Sequence, residues 1–348
     1  MLTIDASYGG GQVIRTALAL STLLKKPFKA VNIRKNRPKS GLKAQHLTCI
    51  ETLKELCNAE VKGNVLESKE LEFHPKNIEI KDLEIDIGTA GSITLLMQSL
   101  LLPIICSKDK INLKIIGGTH GLNQMPIEYF KEVFIPHITK YIEKLDVTLL
   151  KRGYFPKGQG EVEISITPKE EPEGEIKLLY QGKLIQIKGI SHASKDLENA
   201  KVAERQSKTA RLNLKKLNCH INLIEEYQDT KSTGSGMILY AIFSLLDDEI
   251  DFKNPIILGS DINGKKGKKA ELIGNECSNE LIKTIKSKAP VDKYLADNLI
   301  PFLAIFGGKI KVEEVSEHTL ANIKTCELFL DKKFEIKNNF IRLQTQSN

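Results

Sequence analysis

Leu83-Glu84-Ile85-Asp86-Ile87-Gly88-Thr89-Ala90-Gly91-Ser92-Ile93-Thr94-Leu95-Leu96-Met97-Gln98 is the stretch that decides how the chain is read. Apolar residues alternate with acids over 83–87, the period of a half-buried strand. Two glycines and a serine then punctuate the chain, which marks a turn. From Ile93 to Ile105 the run is apolar and uncharged, which predicts a helix buried on most sides. Outward from there, 111–116 reads as a strand, 127–145 holds a helix, and strands near 148–150 and 161–166 close the unit. The order is strand, helix, strand, helix, strand, strand.

The same order precedes it. A strand over 2–5 leads into the glycine turn Ser7-Tyr8-Gly9-Gly10-Gly11-Gln12 and an apolar helix over 13–24. A strand at 28–33, a basic loop at 34–41, a helix at 42–56 and short strands near 59–61 and 71–73 follow. The two copies repeat after about 80 residues, with identity mainly in the glycine turn. A third copy emerges when a segment is set aside: a strand at 175–179, then a helix at 294–306, a strand at 309–312, a helix at 316–330 and strands at 334–336 and 340–343. The reading is an α+β fold of three βαβαββ units. Residues 1–183 with 290–348 form the three-repeat domain, and a smaller αβ domain, 184–289, is inserted in the third repeat.

Composition limits the function classes. The chain has 348 residues, 41% of them hydrophobic and 27% charged, as in a globular protein. No apolar run is long and uncharged enough to span a bilayer. The N-terminus, Met1-Leu2-Thr3-Ile4-Asp5, lacks the basic-then-apolar pattern of a secretory leader, so a cytoplasmic protein is expected. The six cysteines form no CxxC pair and suggest neither a disulfide framework nor a cysteine zinc site. Net charge is +7, a hint of an anionic partner. Only seven of the 51 basic residues are arginine, yet Arg15, Arg34 and Arg37 fall beside the first glycine turn. Arginine's planar fork suits bidentate phosphate contacts.

One histidine stands out. Ser316-Glu317-His318-Thr319 follows a short strand and opens an amphipathic run, so Ser316 is placed to cap a helix and His318 sits in its first turn. Backbone N–H groups there attract an anion, and a neutral imidazole is a nucleophile near pH 7. The plain alternative is a capping or surface histidine.

The motifs together resemble the RNA 3′-terminal phosphate cyclase family along nearly the whole chain. They are Gly-Gly-Gly-Gln-Val-Ile-Arg (9–15), Ile-Arg-Lys-Asn-Arg-Pro-Lys-Ser-Gly-Leu (33–42), Gln-His-Leu-Thr (45–48), Gly-Thr-Ala-Gly-Ser (88–92) and Arg-Gly-Tyr-Phe-Pro-Lys-Gly (152–158). Gly-Ile-Ser-His-Ala-Ser (189–194), Val-Ala-Glu-Arg-Gln (202–206), Tyr-Leu-Ala-Asp (294–297) and the His318 segment complete the set.

The resemblance implies three βαβαββ units with an inserted αβ domain, and an ATP-dependent enzyme. It implies that a histidine attacks the α-phosphorus of ATP, that AMP passes to the 3′-terminal phosphate of an RNA, and that the adjacent 2′-hydroxyl closes a 2′,3′-cyclic phosphate. The family's nucleophile falls on His318. Its nucleotide-binding positions fall on Gln98, Tyr294, Leu295, Ala296, Asp297 and Asn298. Its phosphate- and RNA-binding positions fall on Arg15, Arg34, Arg37 and Gln45. ATP is expected with Mg²⁺ or Mn²⁺, whose ligands the sequence leaves unknown. The other histidines, His46 and His192 among them, are read as structural. Because no site residue falls within 184–289, that segment is expected to be dispensable for the first chemical step.

Two departures bear on this. The family's first glycine loop usually carries a glutamate tied to metal and triphosphate; here Tyr8 runs into three glycines. The family's Gly-Gly-Thr-Asp reads Gly117-Gly118-Thr119-His120. Asn298 also stands where glutamine is commoner. A catalytically silent, RNA-binding ribosome-assembly relative therefore remains the alternative, although that branch lacks the histidine. An enolpyruvyl transferase shares the repeats but not the His318 or Tyr-Leu-Ala-Asp segments.

Overall fold

The computed structural model describes residues 1–121, 124–245, 250–251 and 254–344. Leu122 and Asn123, inside the divergent segment 117–126, lie outside the described residues.

Three sheets share one plan. In the first, β1 (Leu2–Asp5) runs parallel to β2 (Phe28–Val31), β2 antiparallel to β4 (Leu71–His74), and β4 antiparallel to β3 (Glu60–Lys62). The second repeats this with β5 (Leu83–Asp86), β6 (Ile111–Gly117), β8 (Gly160–Pro168) and β7 (Ile142–Lys151) in that spatial order. The third uses β9 (Ile176–Leu178), β14 (Gly308–Lys311), β16 (Phe340–Leu343) and β15 (Phe334–Lys337). Between β9 and β14 in sequence lie a fourth sheet and its helices. Its spatial order is β11 (His220–Gln228), β10 (Lys183–Ser194), β12 (Ser235–Ser244), β13 (Ile256–Asn263), backed by α5 (Val202–Leu214) and α6 (Ala270–Lys286).

The helices carry the core. α1 (Gly11–Leu24) is buried from Gln12 through Thr22, as its continuous apolar run requires. It packs against α2 (Ala44–Cys57), α3 (Ile93–Ile105) and α8 (Glu317–Phe329), and α8 in turn packs on α7 (Lys293–Phe306). Helices from all three repeats thus meet around α1. Their starts are fixed by side chains: Ser92 Oγ accepts from Leu95 N–H at 3.2 Å, Ser316 Oγ from Thr319 N–H at 2.9 Å, and Asp292 Oδ1 from Tyr294 and Leu295 N–H at 3.0 and 2.9 Å. Each satisfies an otherwise orphaned donor of a first turn.

The helix expected over 127–145 stops sooner. α4 (Ile127–Tyr129) runs into a π turn (Phe130–Phe134) and a 3-10 stretch (Ile135–Tyr141), and β7 already begins at Ile142. Pairing of 142–151 with β8 satisfies a long ladder, which outweighs local helix propensity.

Candidate active site

The N-terminal turns of α1, α3, α7 and α8 open onto a cleft of about 410 Å³. α1 contributes Gln12 and Arg15, α3 Leu95 and Gln98, α7 Tyr294, Asp297 and Asn298, and α8 His318. One polar chain knits this wall. Arg15 Nε donates to Gln98 Oε1 at 2.9 Å, Gln98 Nε2 to Asn298 Oδ1 at 2.7 Å, and Asn298 Nδ2 to Tyr294 O at 2.7 Å. Asn298 at a position where glutamine is commoner thus still closes the chain to Gln98. Burial lowers the Arg15 guanidinium to about 10, which leaves it cationic at neutral pH.

Asp297 anchors the histidine's helix. Its Oδ1 accepts from Ser316 Oγ and Thr319 Oγ1, both at 2.6 Å, and its carbonyl accepts from Asn322 Nδ2 at 2.6 Å. Thr16 Oγ1 of α1 donates to Asn322 Oδ1 at 2.7 Å, so α1, α7 and α8 are locked by one buried network. Burial raises the Asp297 carboxyl; the two hydroxyl donors and the facing charge of His318 work against that rise. His318 itself is exposed at the cleft. Its neighbour Thr319 is fully buried.

Tyr294 is half exposed, with Lys293 Nζ 4.9 Å from its ring centroid, so one ring face is free to stack on a flat ligand. Leu295 and Ala296 behave differently. Both side chains are fully buried in the core and do not line the cleft.

The basic positions separate. Arg15 lines the cleft. Arg37 lays its guanidinium against Gly10, where an added Cβ would sit 3.3 Å from Nη2, at the start of α1. Arg34 Nη1 instead donates to the carbonyls of Lys39 and Gly41 at 2.8 and 3.1 Å, bracing its own loop. Gln45 has a buried Nε2 with no hydrogen-bond partner among the described residues, beside Gly91 of the second glycine turn. Gly11 has a packing reason to be glycine: a Cβ there would fall 2.1 Å from His46 Nε2. His46 Nδ1 accepts from Lys43 N–H at 3.0 Å, and burial pulls the imidazole down to about 3, so it stays neutral.

The opposite wall comes from elements that sequence motifs did not mark. β13 supplies Asp261, Ile262 and Asn263; the following loop supplies Lys265 and Lys268; α6 supplies Glu276. Gln124, Met125 and Tyr129 bridge the two walls. Asp292 fastens them: its carboxylate accepts from Tyr129 Oη at 2.6 Å and from Gly259 N–H at 3.0 Å while capping α7. Burial pushes Asp292 up to about 6 and, with Asp292 and Glu128 as like-charged neighbours, Asp261 up to about 7. The pattern Asp261…Asn263…Lys265 alternates along a strand and into its turn, but nothing in the sequence says which sheet edge faces the cleft.

A family model for RNA 3′-terminal phosphate cyclase matches residues 6–336. The chain belongs to the RNA 3′-terminal phosphate cyclase family. Curated relatives agree along their length. The RNA 3′-terminal phosphate cyclase of Pyrococcus furiosus is 42% identical over 339 residues, covering 97% of this chain and 95% of the relative. Those of Saccharolobus solfataricus and Thermococcus onnurineus are 40% and 38% identical over 340 residues, each covering 97% of this chain and 96% of the relative.

Proposed function

We propose that this chain converts an RNA 3′-terminal phosphate to a 2′,3′-cyclic phosphate at the expense of ATP. The observation that supports this most is the convergence of His318, Asp297, Asn298, Tyr294, Gln98 and Arg15 on one cleft in a member of this family.

In this reading ATP enters with adenine against Tyr294. His318, exposed and in the first turn of α8, attacks the α-phosphorus; the N–P bond forms as the bond to pyrophosphate breaks. Arg15 and the N–H groups at the start of α8 offset the negative charge on the phosphoryl oxygens. Asp297 fixes the first turn of that helix through Ser316 and Thr319. The RNA 3′-phosphate then displaces histidine from AMP, forming a phosphoanhydride. Attack by the 2′-hydroxyl on the RNA phosphorus expels AMP, and the hydroxyl proton leaves to solvent. Arg37, beside the first glycine turn, is suited to the RNA phosphate.

The nucleotide arrives as its Mg²⁺ or Mn²⁺ complex, which keeps several waters and needs few protein ligands. Of the acids lining the cleft, Glu276 is paired with Lys268 and Asp297 is held by two hydroxyls. Asp261, the remaining carboxyl of the lining, is the one we assign to that complex. In the same reading, residues 184–289 form an inserted unit that supplies the second wall of the cleft.

The test is turnover of a short RNA bearing a 3′-phosphate. A product resistant to phosphatase, formed only with ATP and a divalent ion, is expected. Failure of the pure protein to form it, with intact RNA binding, favours the assembly-factor reading.

A further inference from the structure

Beneath the wall that carries Gln124, Met125 and Tyr129 lies a second cluster of chemistry-bearing groups. His120, Glu128 and His192 are all buried, at 2%, 5% and 0% exposure, and one ligand atom from each lies within 4.8 Å of the other two. His120 belongs to the segment that departs from the family's motif; Glu128 lies on α4; His192 lies on β10 of the fourth sheet.

Their hydrogen bonds orient both rings. Thr119 Oγ1 accepts from Gly153 N–H at 3.1 Å and lies 3.4 Å from Gly153 O, to which it donates. It also meets His120 Nδ1 at 3.1 Å; with Nδ1 as the donor in that contact, Nε2 presents a lone pair. That lone pair points at Glu128 Oε2, 2.9 Å away, without hydrogen-bond geometry. His192 Nδ1 meets Tyr154 Oη at 2.7 Å, and its buried Nε2 has no hydrogen-bond partner among the described residues. Two imidazole nitrogens and a carboxylate oxygen thus converge with nothing among them to share. A buried polar atom left without a partner opposes folding.

The alternative is direct pairing of His120 Nε2 with Glu128 Oε2. It leaves His192 Nε2 unsatisfied, and Glu128 already has a partner in Arg152, which contacts its Oε1 at 2.5 Å and donates to Glu226 Oε2 at 2.7 Å.

We propose that His120 Nε2, Glu128 Oε2 and His192 Nε2 form a binding site for one divalent ion of the zinc class. Two imidazoles and a carboxylate suit Zn²⁺. Bonds of about 2.0–2.1 Å need ligand atoms roughly 3.3 Å apart, so the His120–Glu128 pair opens slightly and His192 closes in. Tyr154 Oη and Thr119 Oγ1 are the partners that hold each ring's other nitrogen, the usual support of a ligating histidine. Glu128 bridges the ion and Arg152 through its two oxygens. The ion ties the segment after β6, α4 and β10 together directly below the cleft.

The experiment uses full-length protein from zinc-supplemented cells, purified without a metal-affinity tag and dialysed against EDTA. About one zinc per chain is expected by mass spectrometry of the digested sample, with an X-ray absorption shell of nitrogen and oxygen only, near 2.0–2.1 Å. His120→Gln and His192→Gln should each cut retained zinc by roughly tenfold or more, while exposed His220→Gln keeps it. If either variant fails to fold, the parent's absorption spectrum decides. Parent protein without zinc, a sulfur-containing shell, or full retention in both folded variants overturns the proposal.

Discussion

Thr319→Val isolates the contact that positions the histidine's helix. Thr319 is fully buried, and its hydroxyl is one of the two 2.6 Å donors to Asp297 Oδ1. Valine keeps the shape and removes the donor. A hydrogen bond to a charged group is worth about 1.5–3 kcal/mol. For 348 residues the unfolding entropy is about 0.7 kcal/mol per degree, so Tm should fall by about 2–4 °C. The control is Thr325→Val, equally buried, which loses only a neutral bond to Ala321 O and about 0.5–1.5 kcal/mol.

The sign with pH follows from Asp297. Its pKa is raised in the fold, so the native state binds its proton at higher pH than the unfolded chain, and the carboxyl opposes folding above the unfolded value. Losing a donor removes one of the contacts that oppose that rise and moves the carboxyl further up. The Thr319→Val deficit should therefore shrink as pH falls through that raised pKa, and the acid limb of ATP-dependent labelling should move to higher pH. Thermal scans and a labelling profile measure both. A Thr319→Val protein no less stable than Thr325→Val, with an unmoved acid limb, refutes the role given to Asp297.

Three further outcomes are expected. Gly11→Ala should destabilise by about 1–3 kcal/mol in denaturant titrations, because its Cβ collides with the buried His46 ring, while Gly88→Ala meets open space and costs only about 1–2 kcal/mol for its positive φ. Arg37→Ala should raise the KM for 3′-phosphate RNA without abolishing labelling by ATP, whereas Arg34→Ala should chiefly loosen loop 34–41, seen as faster proteolysis there. Excising 184–289 now carries a different expectation from the one its motifs suggest: it strips Asp261, Asn263, Lys265 and Lys268 from the cleft and uncovers Tyr129 and Val133, which pack on Ile238 and Tyr240. ATP labelling should be lost even if the remainder folds, and retained labelling would remove that wall from the first step.

Period and punctuation made the repeats legible. Alternation at 83–87 and 111–116, glycine turns, and uncharged helices such as 93–105 each reflect local geometry that a linear reading can follow. A strand near 148–150 was legible, but its first half, 142–147, was hidden because its pairing with β8 is a tertiary choice. The helix-start position of His318 followed from Ser316 and the apolar spacing after it. Leu295 and Ala296 came with their neighbours in one motif, yet α7's helical turn sends those two side chains into the core while Tyr294, Asp297 and Asn298 face the cleft. The opposite wall was illegible for a different reason: β13 and α6 reach the cleft only through the docking of a separate sheet, with Asp292 and Tyr129 as the fastening. The His120, Glu128 and His192 cluster has no sequence spacing to betray it, since its members come from three elements.

The central claim is that His318 carries AMP. The protein, incubated with α-labelled ATP and a divalent ion before any RNA is added, should retain label that is labile in acid and comparatively stable in alkali, as a phosphoramidate is. Peptide mapping should place it on the fragment containing His318, and His318→Ala, folded by circular dichroism, should retain none. Label on a lysine, or undiminished labelling of His318→Ala, would contradict the account.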